Sequence, residues 1–329
     1  MSVDDFTSVI RDTINPEIKN TALILGNGIN NFCDRNNSWN NLLIDLARKN
    51  VSKKADYKKI LEDKSVSYPE FFDLVDLSRE PPSINLELKK RLAAGISRWK
   101  PQKAHNMWVS KFMEIDRPIL TTNFDYLLEL SDNRIESYIK SKSQDKRFSP
   151  LNFKIPQAKR EFTTFYPWRS YYSDRIIRDC NREFAIWHIH GFCDYVRSIR
   201  MGLSDYMGIV EKSRKLLYKS SGNPFKDFTS MNNWIGKNTW LDVFLNNNLL
   251  IVGLGLEVQE VSLRWLLIIR EKLFKKYEER GIRKKTWFIL NEEYDSMLEG
   301  KKLFFEKLNI EIIYAKKSEY IYDILPTII

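Results

Sequence analysis

Two of the chain's three histidines, His188 and His190, sit in WHIHG (187–191), directly before Gly191. An imidazole has an unperturbed pKa of about 6.5, which suits proton transfer at neutral pH. His190, at the mouth of an apolar run, is the candidate base. His188 lies one step deeper and reads as a satisfied core histidine. The third, His105 in QKAHNMWVSKF, falls in a helical pattern and reads as structural. A second polar group stands in TTNFD (121–125), where an extended backbone puts Asn123 and Asp125 on one side and Phe124 on the other. An amide positions a water or a sugar hydroxyl, and a carboxylate suits a ribose diol or an arginine. A capping Asn and an Asp at a helix start are the plain alternative. The third group is LGNGIN, with Gly26-x-Gly28. Glycines let a backbone turn sharply and approach a phosphate. The dinucleotide fingerprint is incomplete, because Asn31 stands where its third glycine belongs. Nucleotide binding and a simple strand–helix turn both stay open, and a Walker-type loop is absent.

These groups need elements to hold them. Apolar runs of strand length recur at TALIL, PILTT, FAIWH, NNLLIV, KTWFIL and IEIIYA, and each of the first five ends in glycines or small polar residues. Helical spacing separates most of them. Residues 55–115 read as helical throughout, Ser38 is an N-cap candidate for SWNNLLIDLARK, and EVQEVSLRWLLIIREKLFKKYEER stops at Gly281. Apolar strands alternating with helices predict an α/β fold with a Rossmann-like parallel sheet flanked by helices. Ligands of such sheets bind beyond the carboxyl ends of the strands, where the glycines and polar residues cluster. Strand alternation predicts that His188 and His190 share a face, opposite Trp187 and Ile189.

The 329 residues, 43% hydrophobic and 29% charged, have a globular composition and length enough for a large core. One domain is expected. Its core covers about 20–50, 116–130 and 183–325, with a helical insertion at about 51–115 and a basic, aromatic one at about 131–182. The opening residues lack a secretory signal, and no run approaches the roughly 20 apolar residues of a membrane span. A cytoplasmic protein is therefore expected. Cys33, Cys180 and Cys193 are an odd number, far apart and without a C-x-x-C, which argues against a disulfide framework and a zinc ribbon. The net charge of +10 admits nucleic acid or an acidic partner, and plain solubility is the favoured reading.

Five blocks, in order over roughly residues 20–325, resemble a sirtuin-like NAD-binding domain of the zinc-less prokaryotic branch found in anti-phage defence proteins. LGNGIN resembles the first glycine loop, followed by SWNNLL. PQKAHNMWVSKFMEIDRPILTTNFD resembles the Pro-x-x-x-His helix leading into Thr-x-Asn-x-Asp. WHIHG resembles the strand ending in the catalytic His-Gly, LIVGLGLE the second glycine loop, and WFILN the late strand whose Asn meets the nucleotide. The resemblance implies His190 as the catalytic histidine and Asn123 as its partner at the nicotinamide ribose. It implies Gly26, Asn27, Gly28 and Asn30 on the pyrophosphate side, and Thr122 and Asp125 as polar neighbours. Gly253, Gly255 and Asn291 would hold the adenosine half. Deacylating sirtuins carry a four-cysteine zinc module between the histidine and the second glycine loop. Here that interval holds only Cys193, so no metal and no zinc module are implied. The first loop also has Asn27 and Asn30 where the family has Ala-Gly and a serine, and Gly253-Leu254-Gly255-Leu256 lacks the second loop's hydroxyl.

The implied activity is hydrolysis of NAD to nicotinamide and ADP-ribose, with His190 acting on a ribose hydroxyl or the attacking water and Asn123 orienting that water. Deacylation, ADP-ribosyl transfer and a non-catalytic NAD- or ADP-ribose-binding subunit are the alternatives. An NAD-destroying enzyme needs control, so a homo-oligomer or a controlling partner protein is expected. Residues 131–182 hold 12 Lys/Arg, 6 Asp/Glu and 9 aromatics, and are expected near the mouth of the site and that contact. Direct nucleic-acid binding is the less favoured use of them, and self-packing as a lid is the plain one.

Overall fold

Six apolar runs become strands: β1 (Thr21–Leu25), β2 (Ile119–Thr121), β3 (Ile186–His188), β4 (Asn248–Val252), β5 (Thr286–Asn291) and β6 (Glu311–Ala315). The structure, a computed structural model, describes residues 2–51, 55–63, 65–78, 86–137, 168–218, 222–226, 228–293 and 298–329. Every strand runs parallel to its neighbours, in the order β3-β2-β1-β4-β5-β6. Parallel neighbours require crossovers, and the intervening helices supply them on both faces. β1 to β4 are therefore buried along their whole length, which is why their sequences are continuous apolar runs and do not alternate. This is a Rossmann-like α/β fold.

One face carries Ala22, Ile24, Trp187, Leu249 and Ile251 against the helices Leu203–Tyr218, Trp240–Asn246 and Val261–Lys276. The other carries Leu23, Leu25, Ile186, Leu250 and Val252 against Val3–Thr13, Lys103–Glu114 and the C-terminal turn. The helix Lys103–Glu114, grouped with the helical insertion from its sequence, packs on the sheet. A third core is built by Trp39–Asn50, Tyr68–Leu77 and Leu86–Ile96, and it also contains Phe124, Cys193 and Met201. Those three residues follow β2 and β3, so this helical block caps the carboxyl ends of that half of the sheet. Among the described residues no helix is long and apolar enough to cross a membrane.

The basic, aromatic insertion is described only at residues 131–137 and 168–182. Tyr172 bridges Ile186 antiparallel, with both backbone hydrogen bonds made, so the chain descends the outer edge of β3. It then turns under the amino ends of β2 and β3, where Asp116 holds Arg175 and the Phe184 amide. Trp168, Tyr171 and Tyr172 are buried in the protein's own cores, and the Trp168 ring stacks on Trp240. These three aromatics pack on their own domain, as the self-packing reading had it. The remaining aromatics of the stretch, and its proposed contact at the mouth, lie outside the described residues.

Candidate functional site

β1 and β4 are neighbours, yet the chain leaves one toward β2 and the other toward β5, which makes their carboxyl ends the switch point of the sheet. Both glycine loops meet there. The Gly26 amide donates to Val252 O and the Gly28 amide to Gly253 O, each at 2.9 Å. Gly253 is left-handed (φ 68°), and a Cβ on Gly28 would come within 2.7 Å of its Cα. Neither loop admits a side chain at that approach. Beyond them opens a cleft of about 410 Å³, lined by Gly28, Gly253, Gly255 and Asn291. Four of the residues singled out from sequence thus share one cleft. Phe32 and Phe288 also line it, with Arg35 the one cation among its described lining residues, beside Glu257, Glu293 and Glu319. Lys301 pairs with Glu257 at 3.2 Å, and Asn291, Glu293 and Ser318 hydrogen-bond one another.

Asn27, Asn30 and Asp125 do not line that cleft. Asn30 is fully buried and donates to Asn27 Oδ1 (2.8 Å) and to Asp125 Oδ2 (2.7 Å). Its own Oδ1 meets His105 Nε2 at 2.9 Å, while His105 Nδ1 accepts from the Gln102 amide. That acceptor role puts the proton on Nε2, so His105 donates to Asn30. The network ties the first glycine loop to the TTNFD loop and to the helix behind both. Burial pushes His105 down to about 4 and raises Asp125 above the usual carboxylate range.

Asn123 sits between the two halves of the site. Its Nδ2 donates to Gly26 O at 3.3 Å, and its buried Oδ1 has no hydrogen-bond partner among the described residues. An orphaned buried acceptor beside a glycine cradle suits a ligand hydroxyl. Its backbone carbonyl accepts from His188 Nδ1 at 2.8 Å, and His188 Nε2 reaches Glu129 Oε1, also at 2.8 Å. Burial alone would depress His188. The Glu129 carboxylate outweighs it and holds the ring above its ordinary value, as a buried ion pair.

His190 faces elsewhere. The expectation that His188 and His190 share a face fails, because β3 ends at His188 and Ile189–His190 form a turn. Gly191 (φ 88°) makes that turn tight, and a Cβ there would strike the Ser198 carbonyl. His188 lies against Tyr172 and Phe192, whereas His190 meets Tyr206 edge-on and hydrogen-bonds Ser262 Oγ at 3.3 Å. His190 and Thr122 line a chamber of about 60 Å³ with Trp39, Tyr68, Gln259 and Glu260. Burial pushes His190 down to about 4, so at neutral pH its imidazole is uncharged and weakly basic.

Glu129, Ser262 and Glu260 were not singled out from sequence. Glu129 and Ser262 read as ordinary helix residues, and only the tertiary fold brings them to the histidines. Glu260 had one usable signal, its place five residues after Gly255 in a loop that the fold puts at the switch point. Among the described residues no cluster of His, Cys, Asp and Glu could hold a metal ion. The chain matches no family model and no curated protein.

Proposed function

We propose that the protein is an NAD glycohydrolase, cleaving the nicotinamide–ribose bond to give nicotinamide and ADP-ribose. One observation carries the reading. Two glycine loops abut at the switch point, with a nucleotide-sized cleft on one side and, on the other, Asn123 bonded to Gly26 and the chamber that His190 shares with Thr122. The adenosine half would occupy the cleft, where Phe32 and Phe288 offer apolar walls and the carboxylates accept ribose hydroxyls. The nicotinamide ribose would meet Asn123 Oδ1 and His190. Departure of nicotinamide neutralises its pyridinium charge and needs no general acid. The chain's task is then to hold the ribose, limit water and support an oxocarbenium-like centre. A controlled, assembled NAD-depleting effector in anti-phage defence is the cellular role that the sequence resemblance suggests.

A second reading, an NAD- or ADP-ribose-binding subunit without turnover, has one observation in its favour. The His190 chamber, at about 60 Å³, is far smaller than a nicotinamide riboside. The purified protein with NAD, with and without an acetylated peptide, separates the readings. Peptide-independent release of nicotinamide is expected. Release only with peptide makes the protein a deacylase, and binding without release makes it a sensor.

A further inference from the structure

The chamber that holds His190 has a single carboxylate among its described lining residues, that of Glu260. Glu260 ends the second glycine loop and stands directly before the helix Val261–Lys276. That helix returns Ser262 to His190 Nε2, so one turn of chain supplies both the histidine's hydrogen bond and the carboxylate beside it. Glu260 makes no ion pair among the described residues. The nearest cation in sequence, Arg264, donates instead to Leu256 O at 2.7 Å and lies over the Phe304 ring. Glu257 on the same loop, Tyr68 from the capping helices, Tyr206 from Leu203–Tyr218 and His190 from the β3 turn are the other titratable groups around it. The backbone holds this arrangement firmly: Leu256 is buried at φ 48°, and Gln259 Oε1 accepts from the Tyr68 amide.

We propose that Glu260 is the general base of the site, taking the proton of the attacking water, while His190 serves as a neutral hydrogen-bonding group for the ribose. The assignment rests on the NAD reading. In the step, a water oxygen bonds to ribose C1′ as the C1′–N bond breaks. The electron pair of that bond leaves with nicotinamide, and the water proton passes to the Glu260 carboxylate. Volume fits the role, since about 60 Å³ holds a few waters. Charge fits it too. Glu260 is partly open to the chamber but surrounded by protein, and this burial, with Glu257 adding and Arg264 subtracting, lifts its carboxyl to about 7. A base is most effective when its pKa lies near the working pH, and His190, at about 4, is poorly matched.

The test is nicotinamide release between pH 5 and 9 by the wild-type chain, Glu260→Gln, Glu260→Asp and His190→Ala, with thermal melts as a fold control. The wild type should lose activity on acidification with a midpoint near 7. Glu260→Gln should lose that limb and about 10²–10⁴-fold in rate with little change in KM. Glu260→Asp should keep the limb at reduced rate. A Glu260→Gln protein with wild-type rate and limb overturns the proposal and leaves the NAD reading intact. If the wild type releases no nicotinamide at any pH, the NAD reading falls. The ¹³C titration of the Glu260 carboxyl, assigned by its loss in Glu260→Gln, then decides. A midpoint near 7 keeps Glu260 as the chamber's proton acceptor for another substrate, and one near the ordinary value of about 4.3 overturns it.

Discussion

His188 and His190 stand two residues apart, and each has a buried or half-buried glutamate for company, yet the two surroundings are opposites. On one side of β3 the carboxylate touches the ring: Glu129 meets His188 at 2.8 Å, and the pair props the Asn123 carbonyl. On the other, His190 bonds only the Ser262 hydroxyl among side chains described, and Glu260 shares its chamber without an ion pair. The first arrangement is a strut, with the histidine charged and every ring nitrogen used. The second keeps a neutral ring and an unpaired carboxyl around a small volume, an arrangement that can exchange protons. The same residue type, at the end of one strand, is held in an ion pair or left neutral beside a small chamber according to whether a carboxylate reaches it.

The largest effect expected from breaking this contrast is on the strut. His188→Ala leaves the fully buried Glu129 carboxyl without its partner, which should cost about 3–5 kcal/mol in urea denaturation. The double variant His188→Ala/Glu129→Leu should recover part of that loss, since no lone charge remains. A loss below about 1 kcal/mol for His188→Ala would mean the pair is no strut.

Acid stability should separate the two histidines by sign. His190 and His105 have folded values of about 4, below the unfolded value of about 6.5. Their neutral burial favours the folded state above pH 6.5, and that advantage is lost as pH falls toward 4. It amounts to as much as about 3 kcal/mol each. His188 is shifted upward, so its contribution is present below pH 6.5 and is lost as pH rises through its folded value. His190→Gln should therefore flatten the stability loss between pH 6.5 and 4, whereas His188→Gln should keep that loss and instead abolish the stability the wild type gains on acidification from above pH 6.5. The same slope in both variants would contradict the assigned charge states.

Much of the frame was legible before any coordinates. β1 to β5 are short apolar runs, and each stops at the small or polar residues that the fold needs at its carboxyl ends. The places where reading failed share a cause. Alternation put His188 and His190 on one face because it treats a strand as continuing, and Gly191 ends it. The resemblance set Asn30 on the pyrophosphate side and Asp125 among the polar neighbours, and what stayed unseen is their mutual contact. They are 95 residues apart and hydrogen-bond each other, which no local pattern reveals. Glu260 was not singled out at all, because the chamber it lines is closed by Trp39, Tyr68, Thr122 and Tyr206 from distant parts of the chain.

The turn that parts the two histidines gives the smallest test. Gly191→Ala places a Cβ at φ 88° against the Ser198 carbonyl, and should cost about 1–3 kcal/mol while lowering turnover through a displaced His190. Unchanged stability and rate would show that the turn does not hold the contrast in place.

The central claim is that His190, and not His188, stands at the reacting centre. Nicotinamide release should be measured for folded His190→Ala, Asn123→Ala and His188→Gln proteins, each normalised to its folded fraction. His190→Ala and Asn123→Ala, each losing a hydrogen-bonding group at the ribose, are expected to fall about 10²–10³-fold with near-native melting, and His188→Gln to melt earlier while its folded molecules keep most of the rate. A His190→Ala protein that still cleaves NAD at the wild-type rate, beside a well-folded His188→Gln protein that does not, would contradict the account.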